Sequence, residues 1–141
     1  MIYKECPFKQ QEYCMKTVKK QIVAIFIATV WISVSEFARN EFIVKSYWIQ
    51  HYNQLGLVFP SQPINGAVWV IWSLCFAIAI FFIAKKFSLI QTTFLSWFAG
   101  FILMWLVSWN LNVLPTAILP FAIPLSLLEA FLASFIVKKL N

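Results

Sequence analysis

The fold is decided by residues 67–86, which read AVWVIWSLCFAIAIFFIAKK. Residues 67–84 carry no charged side chain, and Lys85 and Lys86 follow them directly. The hydrocarbon core of a bilayer is about 30 Å thick and is crossed by about 20 predominantly apolar residues in a helix. A strand of a membrane barrel would alternate polar and apolar residues, and this stretch does not. It is therefore predicted to be a membrane-spanning helix that ends at a charged surface.

Three further apolar runs of similar length occur in the chain. The protein is 62% hydrophobic and only 11% charged, which is too apolar for a water-soluble domain of 141 residues. No small-residue cleavage site follows the first run, so we interpret it as a span and not as a signal peptide. The predicted fold class is all-α, an integral membrane four-helix bundle made of two helical hairpins. The predicted spans cover about residues 22–38, 67–84, 89–109 and 114–137.

The lysines indicate the orientation of these spans. One side of the membrane would hold the lysines at positions 16, 19, 20, 85, 86, 138 and 139. The other side would hold only Arg39 and Lys45, so both termini are predicted to be cytoplasmic, and a bacterial inner membrane is the expected location. Residues 1–20 form a basic cytoplasmic tail and residues 21–141 a single four-span domain. Residues 1–14 are either a gene-model extension or a short disordered tail.

Several classes of function find no support in the sequence. The net charge of +6 comes from lysines paired at the ends of apolar runs, so nucleic acid is not an expected partner. One histidine and three cysteines give no metal-ligand spacing, and no catalytic triad or phosphate loop is present. We therefore predict no metal, no cofactor and no catalytic residues, and an enzyme is the least favoured class.

The segment between the first two spans, residues 39–66, is too aromatic for a solvated linker. An apolar-aromatic face recurs at three- and four-residue steps, which predicts an amphipathic helix from Glu41 to Leu55. This helix would lie at the outer interface or continue the first span after a bend, and Gly56 would end it. The face consists of Val44, Tyr47, Trp48, His51, Tyr52 and Leu55.

Two glutamates fall inside predicted spans, where an ionisable group costs about 2.5–3.5 kcal/mol. Glu129 lies nine positions before Lys138, or about 13 Å at 1.5 Å per residue. Counting from the other lysines places Thr29 and no cation at this depth, so Glu129 is expected to be uncharged. It would either load and release a proton or only bond a neighbouring helix while the prolines shape packing. Pro120 and Pro124 would free the helix carbonyls near Thr116 and Pro120, and these would form a polar notch with Ser126.

Glu36 lies near the outer end of the first span. Asn40 lies on the same helical face as Glu36. Arg39 lies one residue off that face and is expected to pair with Glu36 or Glu41. With Trp69 and Trp72 at the same level, these groups would hold a small polar or cationic ligand. An interfacial tryptophan belt with a surface ion pair is the alternative. The candidate ligand or ion residues are Glu36, Arg39, Asn40, Trp69, Trp72, Ser126 and Glu129.

Three functions remain open at this point. The first is an accessory or scaffold subunit whose aromatic segment docks a membrane protein partner. The second is a small ion- or ligand-handling bundle, alone or as a homo-oligomer, in which Glu36 binds and Glu129 titrates. In size and layout the chain is similar to the small multidrug-resistance transporters, but with three glycines and no small-residue helix seam the similarity is one of architecture. The third is an interfacial enzyme that acts on lipid headgroups through Glu36, Arg39 and His51.

Overall fold

The computed structural model describes residues 8–140, with side chains from Met15 onward. This part of the chain is helical and contains no β-strand. Two short π-helical turns, Arg39–Ile43 and Phe98–Ile102, interrupt the helices. A 3-10 turn at Thr116–Ile118 precedes the last helix. The helices are α1 (Phe8–Ala38), α2 (Lys45–Gln54), α3 (Pro63–Ala84), α4 (Leu89–Trp97), α5 (Leu103–Asn110) and α6 (Leu119–Leu140).

Within residues 8–140, four helical stretches are long and apolar enough to cross a membrane. Their number and approximate positions agree with the prediction. The first is longer at both ends, from Met15 to Ile43, where the π-helical turn continues α1 without a break, and the second begins earlier than predicted, at Pro63. Many of their large apolar side chains face outward, as expected of surfaces in contact with lipid. The four stretches are Met15–Ile43, Pro63–Ala84, Leu89–Asn110 and Thr116–Leu140.

The basic tail is helical where the structure describes it. Residues 8–20 form the first turns of α1. The rest of the prediction for residues 1–14 falls on residues 1–7 and lies outside the described residues.

Alanines form the contacts between the helices. α1 packs against α3 and α6, and α6 also packs against α3 and α4. Ala28, Ala77, Ala130 and Ala133 are fully buried in these contacts or beside them. The expectation that the chain lacks a small-residue seam is therefore wrong, because alanine takes the place of glycine. Such residues let helix backbones approach closely in a membrane, where packing and not hydrophobic burial drives association.

The segment 39–66 continues the first span and then bends into a separate helix. The π-helical turn continues α1, the chain bends at the buried Val44, and α2 follows as a separate helix. The six residues of the predicted aromatic face are buried at Val44 and half-buried elsewhere, whereas the other residues of α2 are exposed except Lys45. Tyr47 lies 6.1 Å from the ring of Phe121, and His51 bonds to the carbonyl oxygen of Asn112 at 3.0 Å.

Gly56 ends α2 in the left-handed conformation, with φ +71°. The amide of Leu57 closes the helix end by donating to the carbonyl of Tyr52 at 2.9 Å. Gly56→Ala should lower the free energy of unfolding by about 1 kcal/mol, because only the backbone conformation opposes an added Cβ there. Gly66→Ala is the matched control. Its Cβ also meets open space, but inside α3 it should be neutral or stabilising by up to about 1 kcal/mol. Thermal unfolding in mild detergent measures both, and equal effects would contradict the backbone argument.

The prolines of the last span have different roles. Pro120 lies in the first turn of α6, where a missing amide hydrogen removes no helical bond. Pro124 lies inside the helix and leaves the carbonyl of Pro120 without its usual donor. The prediction of a second freed carbonyl at Thr116 is wrong, because that oxygen accepts from the amide of Leu119.

Candidate ligand and ion site

Three charged side chains from the first and last candidate spans are buried together. Arg39 donates through Nη2 to Glu36 Oε1, and through Nη1 to Glu129 Oε2 at 3.2 Å. Glu36 is 4% exposed, Arg39 6% and Glu129 0%. We call Glu36, Arg39 and Glu129 the ionic cluster. The sequence predicted two separate glutamate sites, and the structure joins them through one guanidinium group.

The local backbone explains how Arg39 reaches both carboxylates. Arg39 opens the first π-helical turn, and such turns shift the phase of the side chains that follow. The second π-helical turn carries the fully buried Phe101, whose ring centroid lies 5.2 Å from the Arg39 guanidinium carbon. The aromatic face stabilises the cation on one side while the carboxylates hold it on others.

Neutral donors complete the shell of the cluster. Asn40 Nδ2 donates to Glu36 Oε2 at 2.8 Å. Ser35 Oγ donates to Glu129 Oε2 at 2.8 Å, and Trp31 Nε1 donates to the Glu129 carbonyl at 3.1 Å. Glu129 Oε1 has no partner among the described residues, although it is buried. One carboxylate oxygen of the cluster is thus left for a proton or another ligand.

The expectation that no cation reaches Glu129 is wrong. The depth count assumed that Lys20 and Lys138 lie at the same level, which placed Thr29 beside Glu129. The residues that flank Glu129 are instead Trp31 and Ser35, about one turn further along α1. Lysine side chains are long and reach the surface from different depths, so they are poor markers of level.

A cavity of about 400 Å³ lies beside Glu36, between the end of α1, residues 59–66 and the start of α3. We call it the Glu36 cavity. Asn40 and Trp69 also line it, as predicted, together with Glu41 and Lys45, which pair with each other. Its remaining lining residues are Ser33, Phe37, Phe59, Pro60, Ser61, Gln62, Pro63, Asn65, Gly66, Val70 and Ser73.

Two predicted site residues lie elsewhere. Trp72 is not part of the Glu36 cavity; its ring stacks on Phe76 with centroids 5.0 Å apart. Ser126 accepts from Trp97 Nε1 at 2.9 Å and donates to the carbonyl of Ile123 at 3.1 Å. Ser126 therefore ties α6 to α4, and the predicted notch that would join it to Glu129 shows no such bond.

No role at the site was predicted from the sequence for Trp31, Ser35 and Phe101. Trp31, Ser35 and Arg39 recur every four residues, so one helical face carries them all. This four-residue spacing identifies the face that meets Glu129. The site prediction was instead based on the adjacent face, which carries Glu36 and Asn40. Phe101 had no such signal, because it belongs to another helix and is one of fifteen phenylalanines.

His51 does not join the cluster. It contacts Asn112 in the loop after α5, whereas Glu36 and Arg39 bond to each other and to Glu129. In the described part of the chain, His51 therefore shares no hydrogen bond or ion pair with Glu36 or Arg39, the other two residues named for the enzyme hypothesis.

Comparisons with protein-family models, with curated proteins and with solved structures found no match. Chemically, the site offers a largely apolar cavity whose wall includes a buried carboxylate, and a second carboxylate linked to the first through Arg39.

Proposed function

We propose that this protein is a small ion- or ligand-handling membrane protein that binds a small polar or cationic ligand in the Glu36 cavity. In this proposal the four spans form a bundle with both termini in the cytoplasm. The cavity lies at the start of α3, and Lys85 follows the end of α3, so the cavity would face outward. One observation carries the proposal: the Glu36 cavity lies against a carboxylate that is ion-paired at membrane depth.

Stability alone does not account for the ionic cluster. Replacing buried ion pairs by apolar residues of similar volume is often neutral or stabilising, so such pairs are weak evidence of a structural role. Charged residues in membrane spans are also costly, and they typically mark ion or substrate pathways. A cavity beside the cluster gives a ligand access to it.

Charge favours a cationic ligand. The carboxylates of Glu36 and Glu129 outnumber the single cation Arg39 in the cluster behind the cavity, while Glu41 and Lys45 of the cavity wall neutralise each other. Trp69 adds an aromatic wall, and indole rings attract ammonium groups within about 6 Å of the ring centroid. A small amine or quaternary ammonium ion combines both features.

Flux of radiolabelled tetramethylammonium and methylammonium into proteoliposomes tests this function. Glu36→Gln should reduce the saturable flux at least about tenfold, equivalent to about 1.4 kcal/mol, because the buried counter-charge is lost. Glu41→Gln is the matched control, since Glu41 lines the same cavity but is partly exposed and paired only with Lys45. It should leave flux within about twofold of wild type. No saturable flux of either cation in the wild-type protein, or equal flux in both variants, would contradict the proposal.

The accessory-subunit hypothesis depended on an exposed aromatic face in α2. Part of that face contacts the chain's own residues, with Trp48 and Tyr52 both close to Phe59. Its residues within α2 are half-buried. Purification of the tagged protein in mild detergent separates the two functions. A monomer or homo-oligomer supports ligand handling, and a second protein in fixed stoichiometry supports an accessory role.

A further inference from the structure

We infer that the ionic cluster holds one exchangeable proton on Glu129 Oε1, and that a cation entering the Glu36 cavity displaces it. The second half of this inference rests on the proposed function, and the first half does not. The protein would then exchange one proton for each monovalent cation it binds.

The charges around the cluster do not balance without a proton. Fully ionised, Glu36, Arg39 and Glu129 carry a net charge of −1, and all three are buried. The packed helices α3 and α4 carry no Asp, Glu, Lys, Arg or His, and the Cys75 thiol of α3 is exposed. Lys45 beyond the cluster pairs with Glu41. Because an uncompensated buried charge is far more costly than a neutral cluster, a bound proton is the simplest compensation.

The hydrogen bonds indicate which oxygen takes the proton. Glu36 accepts from Arg39 on Oε1 and from Asn40 on Oε2. Glu129 Oε2 accepts from both Ser35 and Arg39. Glu129 Oε1 is the remaining carboxylate oxygen of the cluster, and it has no donor among the described residues. A proton there forms an O–H bond and displaces none of the existing donors.

Arg39 couples this proton to the Glu36 cavity. Its guanidinium group contacts both carboxylates, so the charge state of one affects the other through a single shared cation. A cation bound at Glu36 restores neutrality with Glu129 ionised, and the Oε1–H bond then breaks and releases a proton to water. Linkage requires the reverse effect as well, so protonation of Glu129 weakens cation binding by the same factor.

Infrared difference spectroscopy at neutral pH tests the proton site. The wild-type protein should show the C=O stretching band of one protonated carboxylic acid inside the protein, and Glu129→Gln should abolish it. Glu36→Gln should abolish it too, because Arg39 then neutralises Glu129 alone. Glu41→Gln should leave the band unchanged. A band that survives Glu129→Gln, or a wild-type protein without one, would overturn the proton site.

Proton release on addition of tetramethylammonium tests the coupling. In weakly buffered detergent solution with a pH-sensitive dye, about one proton should appear per cation bound, measured by calorimetry on the same sample, and the acid band should disappear. Cation binding without proton release would overturn the coupling and leave the proposed function standing. A Glu129-dependent acid band with no cation binding would overturn the proposed function and leave the proton site standing.

Discussion

Arg39→Gln is expected to lower the free energy of unfolding by about 3–5 kcal/mol, the range found when one partner of a buried ion pair is removed. The change leaves two buried carboxylates without their shared cation, and it removes the guanidinium group from the ring of Phe101. Thermal and denaturant unfolding in mild detergent, followed by near-ultraviolet circular dichroism, measures the loss.

Two further variants test whether the loss of stability at Arg39 comes from buried charge. Adding Glu36→Gln to Arg39→Gln should recover part of the lost stability, because Glu36 is the carboxylate left uncompensated when Glu129 holds a proton. Lys45→Gln breaks the partly exposed pair with Glu41 and should cost no more than about 1 kcal/mol. If Arg39→Gln and Lys45→Gln proved equally mild, the ionic cluster would not be buried in the manner described.

Gly100→Ala is expected to destabilise the protein by about 1–3 kcal/mol through overpacking. A Cβ on Gly100 would lie 2.6 Å from Phe76 Cε2 and 2.8 Å from Cζ, closer than carbon atoms pack. The ring cannot easily withdraw, because it is buried, stacks on Trp72 and meets the edge of Phe101 with centroids 5.6 Å apart. Phe101 in turn lies against Arg39, so flux should fall along with stability.

A suppressor checks the cause of this effect. Phe76→Leu removes the atoms that the new Cβ would meet, so the double variant with Gly100→Ala should be more stable than Gly100→Ala alone. Failure of Phe76→Leu to rescue Gly100→Ala, or a Gly100→Ala protein with wild-type stability, would argue against close packing of the second π-helical turn on α3.

The candidate site was predictable only in part. Glu36, Arg39, Asn40 and Trp69 were expected together, and the structure brings them to one place. Three of them lie within five residues on α1 and the turn that follows, where helical spacing is a reliable guide. Arg39 and Glu129 are separated by 90 positions, and no local pattern relates two such residues.

Four apolar helical stretches, an aromatic face on α2 and the glycine at its end were predictable from local sequence. These are local properties, since a segment in lipid must satisfy its own backbone and its length must match the bilayer. Three contacts depend on tertiary structure alone. Arg39 pairs with both Glu36 and Glu129, Phe101 packs against Arg39, and the ring of Phe76 packs against Gly100. Those contacts depend on which helix faces meet and on a π-helical turn that changes the phase, and hydropathy is the same for every such arrangement.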